Sequence, residues 1–396
     1  MKKGWERKRL EEVCEIVNGG TPKTGVPDYW NGLHRWITPA EMGKRLSPYA
    51  SETERMISDL GLRNSSAQML PTHSVILSSR APIGHLVINT EPMATNQGCK
   101  GLVPRSQLHY KFLYYYLSSI VDLLNALGTG ATFKELSGGK LKEVMIPLPP
   151  LPEQRRIVGV LDEAFAGIAT AKANAEKNLQ NARANFESHL HDVFSKRGEG
   201  LVEKRLGDVC SIARGGSPRP IKKFITTATN GINWIKISDA TASGKYIYRT
   251  EEKIIPEGAS RSRMVKEGDF LLSNSMSFGR PYIMRTSGCI HDGWLVLSDY
   301  AAQLNQDYLY YVLGSQFIFQ QFDRLAAGST VRNLNIELAS RVEIPLPPLK
   351  QQQYLAIQFD ALATETQRLA TLYSHKIAEL DALKKSLLHQ AFNGEL

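Results

Sequence analysis

The sequence predicts an α+β protein in which two globular α+β domains alternate with two long helices, the helices pairing as an antiparallel coiled coil. Three observations point there. The hexapeptide Ile146-Pro147-Leu148-Pro149-Pro150-Leu151 recurs letter for letter as Ile344-Pro345-Leu346-Pro347-Pro348-Leu349. The run Arg9-Leu10-x-x-Val13-Cys14-x-Ile16-x-x-Gly19-Gly20-Thr21-Pro22 returns as Arg205-Leu206-x-x-Val209-Cys210-x-Ile212-x-x-Gly215-Gly216-Ser217-Pro218. Each hexapeptide is followed by a long proline-free run with helical spacing. One half-molecule is thus written twice, with an internal pseudo-two-fold repeat, and a period this long means paired domains and not a solenoid.

In chain order, the first variable region, 1–145, carries short β-type runs such as Ser74-Val75-Ile76-Leu77 and Gly84-His85-Leu86-Val87-Ile88, and a helix over Tyr110–Leu127. Gly, Pro and Asn punctuate these runs, as turns do. The first connector, 146–197, opens on a Pro-rich turn. It continues as a helix whose apolar or small positions are Ile157, Leu161, Ala164, Ile168, Ala171, Ala175, Ala182, Phe186 and Val193. Steps of three and four put these on one stripe. The second variable region, 198–343, repeats the pattern with Phe270-Leu271-Leu272, Trp294-Leu295-Val296-Leu297 and a helix over Asp307–Leu325. The last connector, 344–396, places Ile357, Ala361, Leu369, Leu372, Leu380, Leu383 and Leu387 on its apolar side and stops at Asn393-Gly394. A lone amphipathic helix roughly 60 Å long cannot bury its own stripe, whereas two in one chain can bury each other's.

Composition is that of an ordinary soluble protein, with 396 residues, 42% hydrophobic and 22% charged. The charged start Met1-Lys2-Lys3-Gly4-Trp5-Glu6-Arg7 lacks the apolar core of a signal peptide, and four cysteines without C-x-x-C spacing predict reduced thiols and no zinc site, so a cytoplasmic protein is expected. Cys14 and Cys210, equivalent in the repeat, read as small buried residues. A net charge of +9 favours an acidic partner, nucleic acid first.

Catalytic signatures are missing from the sequence: neither G-x-G-x-x-G nor the P-loop motif occurs, nor an Asn-Pro-Pro-aromatic or Asp-Pro-Pro-aromatic tetrapeptide. Asp239 with Glu251-Glu252-Lys253 imitates a nuclease carboxylate–lysine set, but the first half lacks the lysine. Binding chemistry sits instead in matching loops. Lys23 and Thr24 follow the first Gly-Gly-Thr-Pro; Arg219, Lys222 and Lys223 follow the second Gly-Gly-Ser-Pro. Arg80 aligns with Ser275, and Arg280 closes the corresponding turn of the second half. Asn96-Gln97-Gly98 aligns with His291-Asp292-Gly293. Asn and Gln pair bidentately with adenine, Arg pairs with guanine, and Asp accepts from cytosine. Thr132-Phe133-Lys134-Glu135 reads as a capping box, with Thr330-Val331-Arg332-Asn333 as its counterpart, so Thr132, Lys134, Thr330 and Arg332 are expected at helix starts able to seat phosphate. A solvated turn or a plain helix cap is the alternative reading for each of these residues.

Two variable domains, two long helices headed Pro-Leu-Pro-Pro-Leu, the opening Gly-Gly-Thr-Pro and the ending Leu387-Leu388-His389-Gln390-Ala391-Phe392-Asn393-Gly394-Glu395-Leu396 together resemble, over the whole chain, the specificity subunit of type I restriction-modification systems. The resemblance implies a non-catalytic reader of a bipartite double-stranded DNA target, with one target-recognition domain at each end of the coiled coil. It also implies two methyltransferase (modification) subunits as partners, and restriction subunits through them. S-adenosylmethionine, ATP and magnesium would then belong to those partners. The alternatives are a protein-only coiled-coil adaptor and a self-contained methyltransferase or nuclease. The loops differ between the halves, so the two half-sites are expected to differ.

Overall fold

The computed structural model describes residues 4–80, 82–130, 134–195, 202–274, 278–326 and 334–396. It divides into two units, Met1–Ala175 with His375–Leu396, and Glu176–Ser374. Each unit therefore holds one α+β domain, one part of the first long helix (Leu151–Ser195) and one part of the second (Leu349–Asn393).

In the first unit the run Val75–Ser78 is buried at every position, as a strand covered on both faces must be. It is central in a five-stranded sheet ordered Cys14–Asn18, Cys99–Pro104, Val75–Ser78, Leu86–Asn89, Tyr49–Ala50. The pairings are antiparallel except the last, which is parallel. A smaller sheet sets Trp30–Ile37 between Arg55–Ile57 and Met93–Thr95. The second unit repeats the larger sheet in the same order, Ser211–Arg214, Trp294–Ser298, Phe270–Ser273, Pro281–Met284, Tyr246–Ile247. Its other sheet sets Ile232–Ile235 between Glu252–Ile254 and Gly288–Ile290, with Ile225–Thr226 and Arg263–Val265 added at the edges.

The predicted domain helices are present, but each is broken at one residue. Tyr110–Ser119 and Val121–Leu127 are separated by Ile120, whose ψ of 20° leaves the helical range. Gln306–Gly314 and Gln316–Ala326 are separated by Ser315, whose ψ of 150° is extended and whose hydroxyl accepts from Ile318 N–H at 3.3 Å. Apolar spacing does not register a one-residue break that restarts with the same face inward.

The hexapeptides are divided among three structures. Met145–Leu148 pairs antiparallel with Glu6–Arg9, and Glu343–Pro345 pairs with Glu203–Arg205. The double proline makes the corner, and the final leucine begins the helix. A buried glutamine closes that corner in both units. Gln154 accepts from His109 N–H at 2.8 Å and donates to the Gln107 and Pro149 carbonyls. Gln352 accepts from Asn305 N–H at 2.8 Å and donates to Gln303 and Pro347.

A second tie joins each domain to its helix. Asp162 accepts from Lys111 at 2.7 Å and from the Tyr115 hydroxyl at 2.5 Å. Asp360 accepts from Lys245 at 2.8 Å and from Tyr311 at 2.5 Å. The cation has changed places between the units: Lys111 lies on a helix, whereas its sequence counterpart is Asp307, which also pairs with Lys245.

Both 45-residue helices are present as predicted, and in the first unit they run antiparallel. Lys172 meets Asp381 at 2.8 Å, and Arg156 meets the Leu396 carbonyl at 2.7 Å. In the second unit the Phe194 and Phe359 rings lie 5.4 Å apart. The stripe foreseen on the first helix is buried or half-buried throughout. On the second helix the expected stripe needs correction, because Ile357, Leu372 and Leu383 are exposed by 65%, 51% and 47%, and Ala361 is exposed too. Leu369, Leu380 and Leu387 of that stripe are half-buried as expected, but the continuous series of covered positions is Gln352, Ala356, Phe359, Ala363, Thr366, Ala370, Tyr373, Ile377 and Leu380. Their steps of four and three give the 3.5-residue period of a coiled-coil seam. Ala356, Ala363, Thr366 and Ala370 occupy four of these nine positions, so a search for large apolar residues drifts there to a neighbouring face.

All four cysteines are buried free thiols. Cys14 and Cys210 donate to the Leu10 and Leu206 carbonyls at 3.0 and 3.1 Å. Burial pushes the thiols of Cys14, Cys99 and Cys210 up to about 12.

Replacing Gln154 by Met keeps its volume but strands the His109 N–H and two carbonyls. Urea unfolding should show a loss of about 1–3 kcal/mol in the transition of the first unit. Gln352→Met should do the same to the second, and an unchanged midpoint in either variant would refute the role of the clamp.

Candidate nucleic-acid interface

The repeated Gly-Gly motifs exist because two backbones meet. A methyl group built on Gly19 would lie 1.9 Å from the Asn96 carbonyl oxygen, and one on Gly215 would lie 2.1 Å from that of His291. No side chain fits at either position. The second glycine of each motif donates its N–H across the same joint, Gly20 to Thr95 and Gly216 to Ile290.

The predicted reading turns are the other half of this joint. Asn96 accepts from Gly98 N–H through Oδ1 at 2.8 Å and donates from Nδ2 to the Thr21 hydroxyl at 3.0 Å. His291 does the first job with a ring, its Nδ1 accepting from Gly293 N–H at 2.8 Å. Asp292 does the second, its carboxylate accepting from Ser217 at 2.6 Å and from Arg219 at 3.1 Å. The Ser217 hydroxyl holds the Asp292 carboxyl below the usual range, with burial opposing and His291 and Arg219 assisting. Thus Asn96 and Asp292 tie loop to loop within their own units, and His291 braces its own turn. Gln97 is exposed.

Arg80, 46% exposed, forms an ion pair with Glu135 at 3.1 Å and a backbone bridge to the same residue. Beside it Lys100 is almost fully buried, and burial lowers its ammonium while Glu135 opposes. Sequence reasoning missed Lys100, because a lysine inside an apolar strand shows no period of its own. The capping-box expectation needs correction. Glu135 bridges Arg80 and Thr129 in extended backbone, and the nearest described helix, Gly138–Lys142, is capped by Ser137. Lys134 is exposed and precedes that helix instead of opening it. Thr132, Thr330 and Arg332 lie outside the described residues.

Lys23, Thr24, Arg219, Lys222, Lys223 and Arg280 are all exposed. Lys222 and Lys223 sit on the 3-10 turn Ile221–Lys223, and Arg280 N–H donates to the Ser273 hydroxyl at 3.0 Å. Arg214, which precedes the second Gly-Gly where Asn18 precedes the first, belongs with them and was legible in the repeat. Asp239 is structural: its carboxylate accepts from Lys236 N–H and Glu251 N–H at 2.8 and 3.1 Å. No group of three or more potential metal ligands occurs among the described residues, and no described helix is long and apolar enough to cross a membrane.

Comparison with known proteins follows this duplication. The family model described as type I restriction modification DNA specificity domain matches twice, at residues 2–180 and 198–374. The MjaIX specificity subunit of Methanocaldococcus jannaschii is 32% identical over 231 residues, covering 54% of this chain and 54% of that relative. The EcoR124I/EcoR124II specificity subunit of Escherichia coli is 31% identical, covering 48% of each. The chain thus spans about half the length of these two relatives, whereas the MjaVIII specificity subunit, 22% identical, matches over 99% of this chain and 93% of its own. Among solved structures, a chain from the complex assembly and conformational transition of a type I R-M system has a TM-score of 0.82 at 21% identity, covering 100% and 99%. The HsdS subunit from Thermoanaerobacter tengcongensis has 0.63 at 20% identity, covering 100% and 98%. At such identities the structures establish the fold.

Burial lowers the His291 imidazole, with Lys236 adding to it and Asp292 and Asp239 opposing. Its folded value lies below the unfolded one of about 6.5, so the folded chain binds fewer protons and loses stability as pH falls below that point. Asn96 performs the same acceptor role without titrating, so His291→Asn should keep the turn and flatten that loss. Urea unfolding at pH 7.5 and 5.5 checks it; equal pH dependence in variant and wild type would refute the assignment.

Proposed function

This chain belongs to the type I restriction-modification DNA specificity family, and on that premise we propose that it is the DNA-binding specificity subunit of a type I restriction-modification complex. Each unit reads one half of a bipartite double-stranded target. The observation that carries this reading is duplication with divergence. Two family matches share one frame, and at the same strand ends that frame presents different side chains. Two copies of one reader with different contact residues are what an asymmetric bipartite target requires.

The chain's own chemistry in this reading is recognition. The basic loop residues Lys23, Lys134, Lys222, Lys223 and Arg280 supply phosphate contacts, which position a protein without reading sequence. Gln97 and Arg80 supply base contacts in the first unit, Arg80 by exchanging Glu135 for a guanine edge. Asn96, His291 and Asp292 hold the loops in place for that contact. Two methyltransferase (modification) subunits, with restriction subunits joined through them, carry the reactions. S-adenosylmethionine, ATP and magnesium act on those subunits. The protein works on DNA in the cytoplasm.

Full-length chain should bind duplex DNA with a steep log–log salt slope of about −0.9 per phosphate neutralised. With its modification subunits it should direct methylation to one split sequence. Exchanging residues 1–145 for those of a relative should alter one half of that sequence only, as read by mapping methylated bases. Simultaneous change of both halves would defeat independent reading, and salt-insensitive binding would favour a protein-only adaptor.

A further inference from the structure

The second unit gathers exposed arginines at one sheet edge where the first unit has none. Arg214 ends the strand Ser211–Arg214, and its Nε donates to the Asp292 carbonyl at 2.9 Å. Arg263 opens the strand Arg263–Val265, and its Nε donates to the Arg214 carbonyl at 2.7 Å. Arg219, 80% exposed, holds the Asp292 carboxylate. Arg261 lies with its guanidinium 5.5 Å from the Phe224 ring, and Gly216 packs on the main chain of Arg261 and Ser262. Strand register gives the first-unit equivalents. Val265 faces Gly288 as Leu70 faces Met93. Gln68 therefore stands where Arg263 stands, Ser66 where Arg261 stands, and Asn18 where Arg214 stands.

We propose that Arg214, Arg261 and Arg263 form a clamp for the phosphate backbone of double-stranded DNA on the half-target read by the second unit alone, beside Arg219, whose place in the first unit is held by Lys23. The proposal rests on the DNA-reading function above. Its physical basis is the manner of anchoring. Arg214 and Arg263 each use Nε on a main-chain carbonyl, so the fork is oriented in advance while the terminal Nη groups keep donors for an oxyanion. Part of the cost of ordering long side chains on binding is thereby already met in the free chain. Of these cations only Arg219 is met by a carboxylate, that of Asp292, whereas Arg214 and Arg263 are anchored on uncharged carbonyls and keep their charge for a polyanion carrying a charge every ~1.7 Å of axis. Because the anchors are main-chain carbonyls and the ligand is the phosphate backbone, the contacts serve any sequence.

The test uses the full-length chain and a duplex bearing its target, beside a scrambled duplex, at 50 and 200 mM salt. For Arg214→Gln/Arg263→Gln, the fall in affinity between those salts should shrink about 12-fold relative to wild type, and about equally on both duplexes. Hydroxyl-radical protection should be lost on one side of the footprint. Arg214→Lys/Arg263→Lys should restore the salt dependence, since the charges return. Arg261→Gln touches only the Phe224 ring, so it leaves the carbonyl anchors intact and should shrink the fall about 3.5-fold. An unchanged salt dependence in both glutamine variants, a loss confined to one duplex, or symmetric loss of protection would each overturn the clamp. Wild-type chain that binds no DNA would instead overturn the function on which the clamp depends.

Discussion

In each unit the corner between domain and long helix depends on one buried side-chain amide. Gln154 and Gln352 are fully buried, and each bonds three main-chain groups from two stretches of chain: the turn and the N-cap residue that precede a domain helix, and the double-proline corner that launches the long helix. Burial makes such an amide directional, because every donor and acceptor left unmatched inside a protein costs free energy. The direction in which the long helix leaves its domain is thus set by hydrogen-bond geometry and not by apolar contact alone. The Asp162 and Asp360 ties then secure the next turns of the same helices.

Much of this frame is legible in the sequence because it is written twice. The hexapeptides, the Gly-Gly loops and the long helices are all found from repetition, and the buried strands from unbroken apolar runs. Three things escape that reading for physical reasons. The covered series of the second helix runs through Ala356, Ala363, Thr366 and Ala370, residues too small or too polar to stand out in an apolar pattern. The helix breaks at Ile120 and Ser315 keep the same faces inward and so leave the apolar pattern intact. Ion pairs such as Arg80–Glu135 join residues 55 apart and have no local signature. Of the candidate site residues, the exposed cations were legible as basic turns. The inward bonding of Asn96 and Asp292 was not, since the same residue types serve equally for a base edge or a neighbouring loop.

The two units show how a frame stays fixed while its surface changes. The acceptor for the turn's N–H is a carboxamide oxygen at Asn96 and a ring nitrogen at His291. The partner of the loop hydroxyl is an amide at Asn96 and a carboxylate at Asp292. In each case the hydrogen bond is retained while charge, size and titration behaviour change. Divergence in what the loops offer to a ligand therefore needs no change in where they stand.

The four cysteines have a practical corollary. A thiol whose value is pushed up to about 12, as at Cys14, Cys99 and Cys210, is thiolate in only about one molecule in a hundred thousand at neutral pH, and the thiolate is the nucleophile. Cys289 is shifted in the same direction, also by burial. All four thiols are buried and shifted in this direction, which makes them poor targets for maleimides and disulfide exchange in the folded chain. A single cysteine introduced on an exposed loop would carry a fluorophore or crosslinker selectively, with the native cysteines left in place.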